Sequence, residues 1–321
     1  MVDKIAFMDS KTKGTLCGVG AAVSYGMNPL GALSLFGDGL NANSVLFYRF
    51  ALAVAIVGGI MAFKGKSFKV SAAELLFLAF LGVVFAMSSV TLYTSFFYMD
   101  AGVASTMLFV YPIMVAVIMA VFFREKVTKA TVVSIVLALS GIALLCKGGG
   151  GAVMSAEGVG LVMLSSLSYA VYIVAVNKWP VQVPTLKMSF YVTIFCALTV
   201  VAHSFVGGGR LQMLSTGSQW IYASILAVFP SVVSLLLMTV AVRNVGSTPA
   251  AIMGALEPMT AVVIGVTVFG EAFTPRLAAG IVLVLFGVLV IVAGRKFSPR
   301  RLAGLVSHAG HTISKRRWHW K

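Results

Sequence analysis

Apolar residues run through this chain in blocks of about 17 to 25, parted by short polar breaks, and no block shows the strict alternation of a half-buried strand. Ten such blocks can be marked, at 14–36, 42–63, 73–97, 101–123, 130–146, 157–177, 186–206, 219–241, 247–269 and 276–294. About 20 apolar residues make one helical crossing of a bilayer. A β-barrel would show ten-residue segments of alternating hydrophobicity instead. The pattern therefore predicts an all-α integral membrane protein with ten transmembrane helices.

The ninth block breaks its own pattern, because Glu257 and Pro258 stand near its middle. A charged side chain at the centre of a membrane helix costs roughly 2.5–3.5 kcal/mol or more, so its presence asks for a reason. Pro258, and Pro112 in the fourth block, each remove a backbone donor and clash with the preceding turn, which predicts that both helices bend or loosen there as hinges.

Composition agrees with the pattern. Of the 321 residues 60% are hydrophobic and 10% charged, with a mean hydropathy of +1.01. A net charge of +15 would suggest nucleic acid in a soluble protein, but here the positions of the charges explain it. With residues 1–13 in the cytoplasm, twenty Lys and Arg fall on cytoplasmic segments and three, Lys147, Arg210 and Arg276, on the other side. That skew predicts a multi-pass protein of the plasma membrane with both termini cytoplasmic, and no nucleic-acid partner is needed. The first run is long enough to remain a helix and lacks a convincing small-residue cleavage site, so no cleaved leader is expected. Cys17, Cys146 and Cys196 all lie in apolar runs, which predicts reduced thiols. His308, His311 and His319 in the basic tail lack a matching Cys or carboxylate set, so neither a metal nor a cofactor is expected.

Sliding the chain by 146 residues sets Pro112 on Pro258, Phe123 on Phe269, Glu125 on Glu271, Thr128 on Thr274 and Gly141 on Gly287. Twelve of the 42 positions from 105 to 146 are identical without a gap, and the Pro, Glu, Thr and Gly matches are not products of hydrophobicity. The chain divides into a first repeat at 14–146, a Gly-rich external linker at 147–156 and a second repeat at 157–294. A cytoplasmic segment at 1–13 and a basic tail at 295–321 flank them. Five spans is an odd number, so the second repeat enters the membrane upside down. Inverted repeats of this kind typify secondary transporters, whose substrate site lies near the midplane at the repeat interface.

The residues VYPIMVAVIMAVFFREKVT (110–128) and LEPMTAVVIGVTVFGEAFT (256–274), with Tyr48-Arg49-Phe50 of the second span, resemble the EamA type of the drug/metabolite transporter superfamily. The resemblance covers nearly all of 14–294 and implies a ten-helix carrier that exports amino acids, metabolites or toxic small molecules. One departure is Arg124-Glu125 in the first repeat where the second has Gly270-Glu271, which bears on the turn at that helix end.

Tyr111 and Glu257 are equivalent under the 146-residue shift and are expected to face one another across the pseudo-two-fold axis. Glu257 is a candidate proton carrier, a counter-ion for a cationic or zwitterionic solute, or a structural group paired with Arg49. Arg49, about two turns inside the second span, has three readings: it snorkels outward, pairs with Glu257, or binds a carboxylate or phosphate. Tyr25, Asn28, Tyr93, Tyr169 and Tyr172 are further candidates for a cavity with an aromatic lining and few charges. Glu125 and Glu271, at helix exits near Lys126, Arg124 and Arg276, are read as boundary anchors or gate-closing ion pairs.

The expected partners are a small organic solute and the lipid bilayer, with protons as a candidate coupling ion. The sequence does not specify the oligomeric state. Within the superfamily a nucleotide-sugar or organophosphate exchanger is the alternative, though it calls for more basic groups at the midplane than Arg49. A channel lacks a ring-forming selectivity motif. An intramembrane enzyme lacks an HExxH, paired aspartates or a Ser/His set.

Overall fold

The computed structural model describes residues 9–124, 127–146, 155–178, 183–207, 210–245, 250 and 253–294. The first span is α1 (Ser10–Gly26) and α2 (Asn28–Gly37), parted at Met27, with Pro29 in the first turn of α2. Single helices make the second span, α3 (Ala42–Phe63), and the third, α4 (Ala72–Ser95). The fourth is α5 (Ala101–Leu108) followed by α6 (Tyr111–Phe123), and the fifth is α7 (Lys129–Cys146). In the second half α8 (Ala156–Lys178) and α9 (Thr185–Val206) are continuous. The eighth span is α10 (Gly217–Leu226), a π-helical segment (Ala227–Val233) and α11 (Ser234–Val245). The ninth contains α12 (Leu256–Phe269) and the tenth is α13 (Pro275–Gly294).

Among the described residues six helical stretches are each long and apolar enough to cross a bilayer, and α7, α12 and α13 are shorter apolar helices. The molecule is an all-α membrane protein of ten transmembrane helices in two inverted repeats.

Both repeats start their third span with the same device. Ser71 Oγ accepts the Glu74 N–H at 3.2 Å while Glu74 Oε2 accepts the Ser71 N–H at 2.6 Å. Thr216 and Gln219 exchange the equivalent pair at 3.3 and 3.4 Å. Each capping box satisfies two N–H groups that the helix cannot bond internally.

Packing obeys the pseudo-two-fold symmetry that the repeat implies. The contact of α1 with α11 is matched by that of α8 with α4, and the contact of α3 with the π segment by that of α9 with α4. The pairs α7 with α13, α9 with α3, and α12 with α5 bring equivalent spans together. Each repeat thus lends its third span to the first two spans of the other. The core lies between the repeats, not within either.

The fourth and ninth spans end in the same left-handed turn. Gly270 caps α12 at φ 69°, and Arg124 caps α6 at φ 53°. Arg124 is the one non-glycine residue with positive φ among those described. Side chains other than glycine pay roughly 1–2 kcal/mol for that conformation, part of which glycine returns through a freer unfolded chain. Arg124→Gly is therefore expected to stabilise the protein by about 0.5–1 kcal/mol, seen as a higher melting temperature in detergent. An unchanged or lower midpoint would show that the arginine side chain makes up for its backbone.

Candidate functional site

Tyr111 and Glu257 each stand in the first turn of a half-helix, as first residue of α6 and second residue of α12. The bending or loosening expected at Pro112 takes the form of an interruption, because the α-helix stops at Leu108 and restarts at Tyr111. Pro112 and Pro258 fall in the first turns of α6 and α12, and the Leu108 carbonyl four residues before Pro112 takes the Ser166 hydroxyl as its donor at 3.0 Å. The prolines open helices more than they bend them.

Aromatic rings fill the space beside Tyr111. Its ring meets Tyr169 edge-on at 4.6 Å, Tyr169 stacks on Tyr172 at 5.9 Å, and Phe85 lies 5.9 and 5.2 Å from those two rings. Tyr111 and Phe85 come from the first repeat, Tyr169 and Tyr172 from the second. Glu257 is half-buried and lies within electrostatic reach of Tyr25, Tyr111, Tyr169 and Arg49. Its carboxylate makes no hydrogen bond or ion pair to any described residue.

Arg49 is the one buried charged side chain among the described residues, at 3% exposure. Its Nη1 donates to Tyr93 Oη at 2.9 Å and its Nε to Ser231 Oγ at 3.1 Å. The Tyr93 hydroxyl in turn donates to Asn28 Oδ1 at 3.1 Å, and Asn28 Nδ2 donates to the Tyr25 carbonyl at 2.9 Å. The rings of Phe50 and Tyr93 lie 5.6 and 5.7 Å from the guanidinium carbon. Snorkelling and direct pairing with Glu257 are both corrected, since the guanidinium points inward and is held by neutral groups. The Tyr25 phenol stands beside the same guanidinium.

Tyr25, Asn28, Arg49, Tyr93, Tyr111, Tyr169, Tyr172 and Glu257 are thus gathered around one inter-repeat interior. Sequence reading missed Phe85 and Ser231. The first carries no signal in an apolar run. The second had one, since Pro230 interrupts the eighth block.

Of the two readings of Glu271, boundary anchor or gate-closing ion pair, the second is not what its contacts show. It forms no ion pair with Arg276, and its Oε1 and Oε2 accept the Ala101 and Gly102 N–H groups at 2.7 and 3.1 Å. The carboxylate of the second repeat so closes the N-terminus of α5 in the first. Gly265 and Gly102 leave the room, since a Cβ on Gly265 would collide with the Glu271 carboxyl. Burial pushes this carboxyl above the usual carboxylate range, the two N–H donors pull it partly back, and the Asp100 charge adds to the rise. Glu125, its counterpart, lies outside the described residues. Hydrogen bonds to a charged group contribute about 1.5–3 kcal/mol, so Glu271→Ala is expected to cost about 2 kcal/mol and lower the melting midpoint. Glu271→Gln, with one acceptor left, is expected to recover part of the loss. Equal midpoints for Glu271→Ala and wild type would show that the clamp does not hold the repeats together.

A family model described as the EamA-like transporter family matches the chain twice, over residues 12–146 and 156–293. The chain is 25% identical over 204 residues to a protein of Archaeoglobus fulgidus named an uncharacterized transporter, spanning 62% of this chain and 70% of that one. It is 24% identical over 182 residues to the uncharacterized inner membrane transporter YedA of Escherichia coli, spanning 56% of this chain and 58% of YedA. One crystal structure superposes with a TM-score of 0.64 at 19% identity, covering 90% of this chain and 100% of that chain. That likeness bears on the fold alone.

Proposed function

The chain belongs to the EamA-like transporter family, and from that premise we propose that it is a secondary carrier exporting a small organic solute by alternating access between its two repeats. Amino acids, other metabolites and drugs are the solute classes in view. The observation that carries this reading is Glu257, a carboxylate on a broken helix, between the repeats, with no partner among the described residues. An unpartnered acid at that depth is costly unless a proton or solute relieves it. The aromatic lining from Tyr111, Tyr169, Tyr172 and Phe85 suits a modestly polar organic solute.

The functional repeats are placed at 14–146 and 157–294, joined by 147–156 and flanked by 1–13 and 295–321. The excess of basic residues puts both termini in the cytoplasm. On that orientation the Glu271 clamp faces the exterior. An organophosphate exchanger is less well supported, because Arg49 is the one buried cation among the described residues.

The test begins with a ligand-stabilisation screen of purified protein over amino acids, purines, sugars and cationic drugs. Counterflow of the best hit in proteoliposomes follows. Saturable counterflow supports a carrier. Voltage-driven current without saturation, or conversion of the solute to a product, would sink the proposal.

A further inference from the structure

The eighth span gives up α-helical geometry over Ala227–Val233, and Pro230 sits inside that π-helical stretch. Proline brings no N–H, so the carbonyl four residues earlier, that of Leu226, loses its α-helical donor. Isolated π turns within α-helices cluster at functional sites. In a π-helix the donor is the N–H five residues on, here that of Ser231, and the Ser231 hydroxyl donates to the same Leu226 carbonyl at 3.1 Å. A serine hydroxyl otherwise rotates freely. With its proton committed, the oxygen offers its remaining lone pairs in a fixed direction, and Arg49 Nε donates to it at 3.1 Å.

The equivalent interface in the other half lacks this arrangement. There α9 meets α4, and the Phe-Tyr pair common to the two second spans, Phe47-Tyr48 and Phe190-Tyr191, sets the apolar Val192 in the place of Arg49. The α4 helix is continuous and has no proline. The fold therefore needs neither the π segment nor a guanidinium at this contact, since one of two equivalent contacts does without both.

We propose that Ser231 is a positioning residue for Arg49, held in place by the Pro230 π segment. Anchored by Ser231 at Nε and by Tyr93 at Nη1, the guanidinium plane has one orientation. Its remaining N–H groups are left for the interior that Tyr25 lines and for an acceptor group of the solute. Planar, two-point fixation is what separates arginine from lysine here. The inference rests on the reading that Arg49 borders the solute site.

Two measurements test the two ideas separately. In purified protein the nitrogen resonance of Arg49 Nε is expected to move in Ser231→Ala and to return in Ser231→Thr, which keeps the hydroxyl. An unmoved resonance in Ser231→Ala overturns the positioning role whatever transport does. In counterflow, Ser231→Ala is expected to raise KM about tenfold with little change in melting temperature, and Ser231→Thr to restore it. In an Arg49→Lys background, which has no Nε–H, Ser231→Ala is expected to add less than about twofold. A full tenfold further loss there overturns the proposal, because Ser231 would then act without Arg49. If the resonance moves as expected while Arg49→Lys transports as well as wild type, the positioning stands and the solute-site reading of Arg49 falls.

Discussion

Glu257→Gln is expected to cut proton-dependent counterflow about 100-fold, roughly 2.7 kcal/mol, and to leave the residual rate flat over the pH range in which the wild type responds. Glutamine matches the shape of glutamate and keeps an oxygen and a polar tip, so packing against Tyr111 and Tyr25 is preserved. What it removes is the ability to exchange a proton or to meet a cationic group with charge. A fixed charge at membrane depth costs about as much as the expected loss of rate, so ionisation of this one group is large enough to drive or block a transition between inward and outward states. The fold is expected to be spared, since no described residue depends on the Glu257 carboxylate for a hydrogen bond. A melting temperature at or above that of wild type would separate loss of coupling from loss of folding. Tyr111→Phe, the change at the equivalent place in the other repeat, is expected to act more weakly because it removes a hydroxyl and no charge. Unchanged transport and unchanged pH dependence in both variants would move the coupling site elsewhere.

The features legible in the sequence were those that violate a strong local rule. Glu257 stood out because an acid inside an apolar run is expensive, and Pro112 and Pro258 because a helix interior rejects proline. Their equal spacing, with Thr128 and Thr274, revealed the repeat and with it the inverted fold. The capping boxes at Ser71-x-x-Glu74 and Thr216-x-x-Gln219 were equally readable, at a shift of 145 residues, and mark the same helix start in both halves.

Packing partners were harder to read. In a soluble protein the buried face of a helix is apolar and the outer face polar, whereas here lipid-facing residues such as Val83 and Leu198 are as apolar as the buried Leu81 and Val200. Periodicity cannot say that α4 belongs against the other repeat. Charge proximity along the chain also misled. Arg276 is five residues from Glu271, yet the carboxylate bonds the backbone of Ala101 and Gly102, across the repeat interface. The break between α5 and α6 has the same character, since Pro112 announces a disturbance but not that the helix stops before Tyr111. Ser231 shows the limit most sharply, because its meaning depends on the π-helical turn around Pro230, on the Leu226 carbonyl its hydroxyl bonds, and on an arginine 182 positions away.

Arg49→Met is expected to abolish stabilisation by the solute and most counterflow, while the protein's own melting temperature stays within a few degrees of wild type or rises. Burying a guanidinium costs several kcal/mol even after the surroundings relax. Against this stand two hydrogen bonds from a charged donor, about 1.5–3 kcal/mol each, and two ring faces at about 0.5–2 kcal/mol each. The two sides nearly cancel, so removing both changes stability little. The groups left behind are not stranded either. Tyr93 still donates to Asn28 Oδ1, and Ser231 still donates to the Leu226 carbonyl. Methionine fills much of the volume with a flexible apolar chain. Arg49→Lys should be worse for stability than Arg49→Met, because it keeps the buried charge but loses the planar fork that reaches Ser231 and Tyr93 together. The expected orders therefore differ, with stability running methionine at or above arginine and arginine above lysine, and transport running arginine above lysine above methionine. A buried group that serves the fold would give one order for both properties. If Arg49→Met lowers the midpoint by tens of degrees, the guanidinium is holding the repeats together and its place beside Tyr25 and Glu257 is a matter of architecture, not of solute recognition.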